Sequence, residues 1–267
     1  MPTYTSSHHH LYYQQTGAGP QPLVLLHGSF ASSRWWQPAL ALLPDEQFTG
    51  YAPDLPGCGL SERPDEPESY AVDALGAAVA DMIEGLGLWN VHLVGHSLGA
   101  AVALSYAISH PGRLRSLTLV SAPSPQGTST PPEGYGLLKR MRGDRGLLLQ
   151  ALASIMPTHA PDPFFQSLVD DAQGQASVAF TAAAWALEQW RVDRPALQQL
   201  RLPVLLIWGD RDHIVERPVQ TELLLSIPGA NHLEVLRGCG HSPMVERPEA
   251  FAQVLLNFLA DSVTRDT

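Results

Sequence analysis

Lysine is almost missing from this chain: of 16 basic residues fifteen are Arg and one is Lys139, set against 26 acidic residues. The formal net charge of -10 repels polyphosphate backbones, so nucleic acid is not expected as a partner. The Arg bias itself is explained by coding composition as well as by any stabilising role of guanidinium groups. Only two cysteines occur, Cys58 and Cys239, too few for a disulfide framework, and a reducing compartment is the simpler expectation. No apolar run approaches the roughly eighteen residues that a membrane helix needs. The N-terminal MPTYTSSHHHLYY lacks a basic region followed by an apolar one. These absences predict a soluble, cytoplasmic protein with no membrane partner. Metal-ligand spacing, a phosphate-binding loop and a dinucleotide fingerprint are all missing too, which predicts chemistry without cofactor or metal.

What is present is a globular balance, 45% apolar and 16% charged over 267 residues, enough for one large domain with an insertion. Short, nearly continuous apolar runs at 22–26, 91–95, 116–120 and 203–208 read as strands buried on both faces of a parallel sheet. Between them, Val72, Leu75, Val79, Met82, Ile83 and Leu86 recur at helix-face spacing, so the chain alternates strand and helix. The segment 231–236 reads as an edge-side strand, and 248–259 as a last helix burying Phe251, Val254, Leu255 and Phe258. LYYQQTG, after His8, His9 and His10, reads as the first strand, which makes the three histidines strand-alternating residues and not a metal site. The rhythm breaks between about 122 and 198. There PSPQGTSTPPEG is followed by helical patterns without a convincing strand, the expected signature of a helical cap inserted into a core formed by 1–121 and 199–267.

VHLVGHSLGAAVALSYA places Gly95-His96-Ser97-Leu98-Gly99 between a strand and a small-residue helix. G-x-S-x-G in that setting is a nucleophile turn: the tight bend demands residues with almost no side chain two before and two after the serine. The helix that follows directs free N–H groups at the serine, so the Leu98 N–H is one candidate oxyanion donor. LVLLHGSFASSRWW follows an earlier strand, and its Ser29 N–H is the second. His27 reads as a brace for that loop rather than as a base, because a better-placed histidine follows.

PVLLIWGDRDHIV ends in carboxylates, Asp210 and Asp212, at the edge of a parallel sheet where ligand chemistry belongs. LRGCGHSPMVERPEAF puts His241 in a Gly-rich loop before the last helix. A serine hydroxyl is a weak nucleophile and needs a base such as His241, and a buried carboxylate would fix the imidazole tautomer. The physics leaves both Asp210 and Asp212 open as that carboxylate.

With HGSF, DLPGCGLS, GHSLG, WGDRD and GCGHSP in this order, the chain resembles the α/β-hydrolase superfamily from about residue 22 to 260, most closely its small esterases and carbon-carbon bond hydrolases. The resemblance implies an α/β fold with a mostly parallel sheet of about eight strands and a helical cap. It also implies Ser97, Asp212 and His241 as catalytic residues, and it favours Asp212 over Asp210. By the same pattern Asp54-Leu55-Pro56-Gly57 is a structural turn, and Cys58 and Cys239 are small packed residues. A serine at 97 disfavours the haloalkane dehalogenases and epoxide hydrolases, which carry a carboxylate there.

The cap is rich in large apolar residues, among them Tyr135, Met141, Met156, Phe165, Phe180 and Trp190, most of which should pack the cap itself. Phe30, Trp36, Phe164 and Trp185 are the candidates for the substrate pocket, with one of Trp35 and Trp36 required to face the core. Lys139, Arg140, Arg142 and Arg145 read as a solvated face or as a seat for a substrate carboxylate. The expectation is a carboxylesterase acting on small or medium, mainly apolar esters. Carbon-carbon, thioester and lactone hydrolysis remain open with the same residues, as do a slowly turning ligand receptor and a Ser-His lyase or synthase.

Overall fold

The computed structural model describes residues 2–264. Eight strands form one sheet: β1 Thr3–Thr5, β2 His10–Thr16, β3 Gln21–Leu26, β4 Phe48–Pro53, β5 Val91–His96, β6 Leu114–Val120, β7 Val204–Gly209 and β8 Ala230–Leu236. Their spatial order is β1-β2-β4-β3-β5-β6-β7-β8. The pairs β1/β2 and β2/β4 are antiparallel, and every other neighbouring pair is parallel. The apolar runs of β5 and β7 are buried along their whole length, because helices cover both faces of the sheet.

Two apolar layers sandwich the sheet. On one side the Val72–Gly85 and Leu98–Ser109 helices contribute Leu75, Val79, Met82 and Leu104. On the other the Pro248–Thr264 helix contributes Phe251, Leu255 and Leu259. The strand expected first is the second: Thr3–Thr5 precedes it and pairs with it antiparallel, a three-residue strand too short and too polar to show a period. His10 opens β2, and His9 pairs with Glu62 at 2.8 Å.

Between β6 and β7 the described chain contains no strand. Helices at Pro132–Gly143, Arg145–Ile155, Pro163–Gln173 and Ala179–Gln189 follow one another, and a short turn at Arg194–Leu197 returns the chain to the sheet. Asp144, Asp162 and Asp193 each cap one of these helical segments by accepting a backbone N–H from its first turn. No helix among the described residues is long and apolar enough to cross a membrane.

Candidate active site

Ser97 sits where β5 ends and the Leu98–Ser109 helix begins, with φ +51° and ψ −119°. A non-glycine residue held at positive φ carries backbone strain, which the surroundings must impose. They do so through contact: a Cβ on Gly95 would lie 2.2 Å from the Gly99 carbonyl oxygen, and one on Gly99 would lie 2.4 Å from that of Leu26. Only glycine at both places lets strand, turn and helix close around the serine. The Ser97 N–H donates to the Val120 carbonyl at 3.0 Å and fixes the turn to β6.

Asp212 and His241 come from the turn after β7 and the loop after β8. His241 Nδ1 lies 2.8 Å from Asp212 Oδ2, and both side chains are buried. Asp212 Oδ1 accepts the N–H groups of Ile214 at 2.8 Å and Val215 at 3.0 Å. Burial alone would raise the Asp212 carboxyl, but its hydrogen bond and attraction to His241, with the two N–H donors, hold it below the usual carboxylate range. An ionised Asp212 only accepts, so Nδ1 of His241 carries the proton and Nε2 is left with its lone pair free. Asp210 is exposed and accepts the Gly238 N–H, a loop contact away from the imidazole.

Ser97 and His241 line one cavity of about 440 Å³. No hydrogen bond joins the serine hydroxyl to the imidazole among the described residues. Ser29 lies on the same wall, and neither its N–H nor that of Leu98 is taken up by a partner among the described residues, so one free donor comes from the turn after β3 and the other from the N-terminus of the helix that begins beside Ser97. His27 is held at both ring nitrogens: Nδ1 donates to the Gly28 carbonyl at 2.8 Å, and Nε2 accepts the Leu55 N–H at 2.9 Å. His96 donates from Nε2 to the His241 carbonyl at 2.8 Å, and burial, aided by repulsion from His241, pushes its pKa down to about 3. It therefore enters the cavity wall as a neutral ring stacked on Trp35.

Of the four residues expected to line the pocket, Phe30 does, packed against Phe180 with ring centroids 5.4 Å apart. Trp36, Phe164 and Trp185 do not. Trp35 and Trp36 are consecutive in a tight turn at Ser33–Trp36, so their side chains diverge; Trp35 reaches the cavity, while Trp36 is fully buried against Phe251. Phe164 packs at the edge of His159. On the Ala179–Gln189 helix the cavity receives Phe180, Ala183, Ala184 and Leu187, an i, i+3, i+4, i+7 stripe that turns Trp185 to the opposite side. That stripe was visible in the sequence and would have found these residues. Leu137, Leu138 and Met141 of the Pro132–Gly143 helix, Leu152 and Ile155 of the next helix, and Ile214 and Val215 beside Asp212 add to the apolar lining. Lys139, Arg140 and Arg142 are exposed outside the cavity, and Arg145 pairs with Asp170 at 2.6 Å. Both cysteines are free and buried, and burial pushes the Cys58 thiol up to about 12 and Cys239 higher still, so neither is a nucleophile at neutral pH.

A family model described as the alpha/beta hydrolase fold matches residues 21–248. The chain belongs to the α/β-hydrolase family. One of its relatives is a 2-hydroxy-6-oxononadienedioate/2-hydroxy-6-oxononatrienedioate hydrolase of Paraburkholderia phymatum, 30% identical over 263 residues, which cover 93% of this chain and 90% of that one. Among solved structures, an esterase from Exiguobacterium antarcticum superposes with a TM-score of 0.84 at 24% identity, covering 94% of this chain and 96% of that one. An enol-lactonase from Burkholderia xenovorans also gives 0.84, at 21% identity, covering 97% and 100%. These two likenesses show the fold.

Proposed function

We propose that this α/β hydrolase is a carboxylesterase for small or medium, neutral and mainly apolar esters, working through an acyl-enzyme on Ser97. The observation that carries the reading is the cavity: Ser97, His241 and Ser29, with its free N–H, meet in a space of about 440 Å³ whose lining, among the described residues, contains no Asp, Glu, Lys or Arg. A volume of that order suits a small organic ligand.

In this reading Ser97 Oγ attacks the ester carbonyl carbon as its proton passes to His241 Nε2, the nitrogen that Asp212 leaves unprotonated. That contact tightens when substrate fills the cavity. The charge developing on the carbonyl oxygen is received by the Ser29 and Leu98 N–H groups. Collapse breaks the ester C–O bond, and the alcohol leaves with the proton from His241. Water, deprotonated by the same nitrogen, then attacks the acyl carbon, and its proton returns to Ser97 Oγ as the carboxylic acid departs. The reading asks for no cofactor or metal and no partner beyond the ester and water.

Carbon-carbon bond hydrolysis has in its favour the names of several relatives, the Paraburkholderia hydrolase and, at 28% identity, dienoate hydrolases of Pseudomonas putida and Burkholderia cepacia among them. Such dienoates and dienedioates, however, carry one or two carboxylates, and the described lining of the cavity holds no Lys or Arg to pair with them. The neutral ester is therefore the better fit. The test is turnover of p-nitrophenyl acetate, butyrate, octanoate and laurate beside a ring-fission dienoate, with wild type and Ser97→Ala. Ester turnover lost in the variant and no activity on the dienoate is expected; a Ser97→Ala enzyme that keeps wild-type turnover refutes the nucleophile, and a preference for the dienoate refutes the substrate class.

A further inference from the structure

Glu246 is a buried carboxylate with no Lys or Arg paired to it among the described residues, at the end of the helical turn Pro243–Glu246 just after the histidine loop. A buried charge without a cation is costly unless hydrogen bonds satisfy it. Here the two oxygens serve two different parts of the molecule. Oε1 accepts the N–H groups of Gly240 at 2.9 Å and Ser242 at 3.3 Å and the Cys239 thiol at 3.6 Å, all in the loop that carries His241. Oε2 accepts the N–H of Thr158 at 3.2 Å and its hydroxyl at 2.8 Å, in the segment that follows the Arg145–Ile155 helix. Between the two loop amides, the N–H of His241 itself donates to the Ile155 carbonyl at 2.8 Å. Ile155 also lines the substrate cavity. The approach is close: a Cβ on Gly240 would lie 2.5 Å from that carbonyl oxygen, and one on Gly209 would lie 2.1 Å from the Gly240 oxygen. The histidine loop is thus clasped between β7 and the segment above it, with three successive N–H groups held from outside the loop.

We infer that Glu246 is a positioning residue, whose divided carboxylate ties the Ile155–Thr158 segment to the histidine loop so that the seating of the cap sets the position of His241. The inference rests on the esterase reading for the role of His241. An alanine at 246 leaves both sets of donors without an acceptor. A glutamine keeps one oxygen for the Gly240 and Ser242 amides and turns its NH2 to the Thr158 hydroxyl, losing only the Thr158 N–H.

The experiment measures kcat and KM of full-length wild type, Glu246→Ala, Glu246→Gln and Thr158→Val on p-nitrophenyl acetate, whose acyl group is too small to need the cap. Active sites are counted by end-point phosphonylation of Ser97, so a fall in folded fraction does not register as a fall in kcat. In Glu246→Ala, kcat per active site should drop by about 10- to 100-fold, the scale of a displaced catalytic group, with KM within about twofold. Glu246→Gln should return to within about fivefold of wild type, and Thr158→Val should fall between the two. An unchanged kcat per site in Glu246→Ala, or a loss that glutamine does not restore, overturns the inference. Should the alanine variant fail to fold, Thr158→Val decides: wild-type kcat per site there overturns it equally. Turnover that survives Ser97→Ala would instead bring down the esterase reading, a result separable from all of these.

Discussion

Replacing Asp212 by asparagine changes one atom in a position whose hydrogen bonds dictate how the new side chain must turn. Oδ1 receives two backbone N–H groups, from Ile214 and Val215, and an amide nitrogen cannot take its place. The asparagine oxygen must therefore occupy that site, and its NH2 replaces Oδ2, facing His241 Nδ1 where a carboxylate oxygen stood at 2.8 Å. Nδ1 becomes the acceptor, the imidazole proton moves to Nε2, and the nitrogen facing Ser97 can no longer take a proton. A wrong tautomer of this kind costs about 10⁴ in rate in a serine protease, or about 5.4 kcal/mol in the barrier. The expectation for Asp212→Asn is a kcat on p-nitrophenyl butyrate lower by about 10³- to 10⁴-fold, with KM little changed, since Asp212 is absent from the cavity lining. Asp210→Asn, tested beside it, should stay close to wild type. If Asp212→Asn retains more than about a tenth of wild-type kcat, the tautomer argument fails, and with it the assignment of the acid.

Other substitutions separate core from cavity. Trp36→Ala removes a fully buried ring and should cost about 3–5 kcal/mol in chemical denaturation while ester preference is unchanged; Phe30→Ala should shift preference toward bulkier acyl groups in the ester panel. Acid should weaken the fold from two directions. His27, His92 and His96 are pushed down by burial, His92 to about 4 and His96 to about 3, so they remain neutral in the native state while the unfolded chain protonates near pH 6.5. Their contribution is complete above about pH 6.5 and is lost as pH falls toward the folded values, at up to about 1.4 kcal/mol per histidine per pH unit. Asp212, held below its usual range, adds stability at neutral pH that disappears as pH drops through its folded value. Calorimetry should therefore show Tm level from pH 8 to about 6.5 and falling from there to pH 4, and His92→Gln should lessen that fall; a Tm flat between pH 6.5 and 4 refutes the buried-neutral assignment.

The parts of this molecule that were legible in its sequence are those where backbone geometry alone restricts residue type. Gly95 and Gly99 are demanded by approaches of 2.2 and 2.4 Å, so the serine turn announces itself in five residues. β5 and β7 are buried on both faces and read as apolar runs whatever lies above them. The pocket obeys no such local rule. Trp35 and Trp36 are chemically identical neighbours, and which one meets Phe251 is decided by the last helix of the chain, more than 200 residues away. Phe164 and Trp185 looked suitable because they are large, yet small residues, Ala183 and Ala184, hold the wall that Trp185 was expected to form. Glu246 drew no attention beside the motif histidine, because a carboxylate's worth as a double acceptor depends on donors, Gly240 and Thr158, that meet only in the folded chain.

The helices over the cavity are inserted between two strands that lie side by side, β6 and β7, paired from Leu117 with Val204 to Val120 with Ile207. Because the two strands run parallel, the chain leaves β6 at the edge that carries Ser97 and must re-enter β7 from the opposite edge, so a segment exchanged for this one has to supply a return across the sheet as well as a roof. A graft of that kind, made between Ser121 and Leu202, would replace the part of the cavity wall that these helices supply and leave the nucleophile turn, Phe30, Trp35, Ile214 and Val215 in place. It would succeed only if the incoming segment brought a carbonyl to the His241 amide and a hydroxyl to Glu246, which makes those two contacts the joinery that any interchangeable roof on this scaffold has to match.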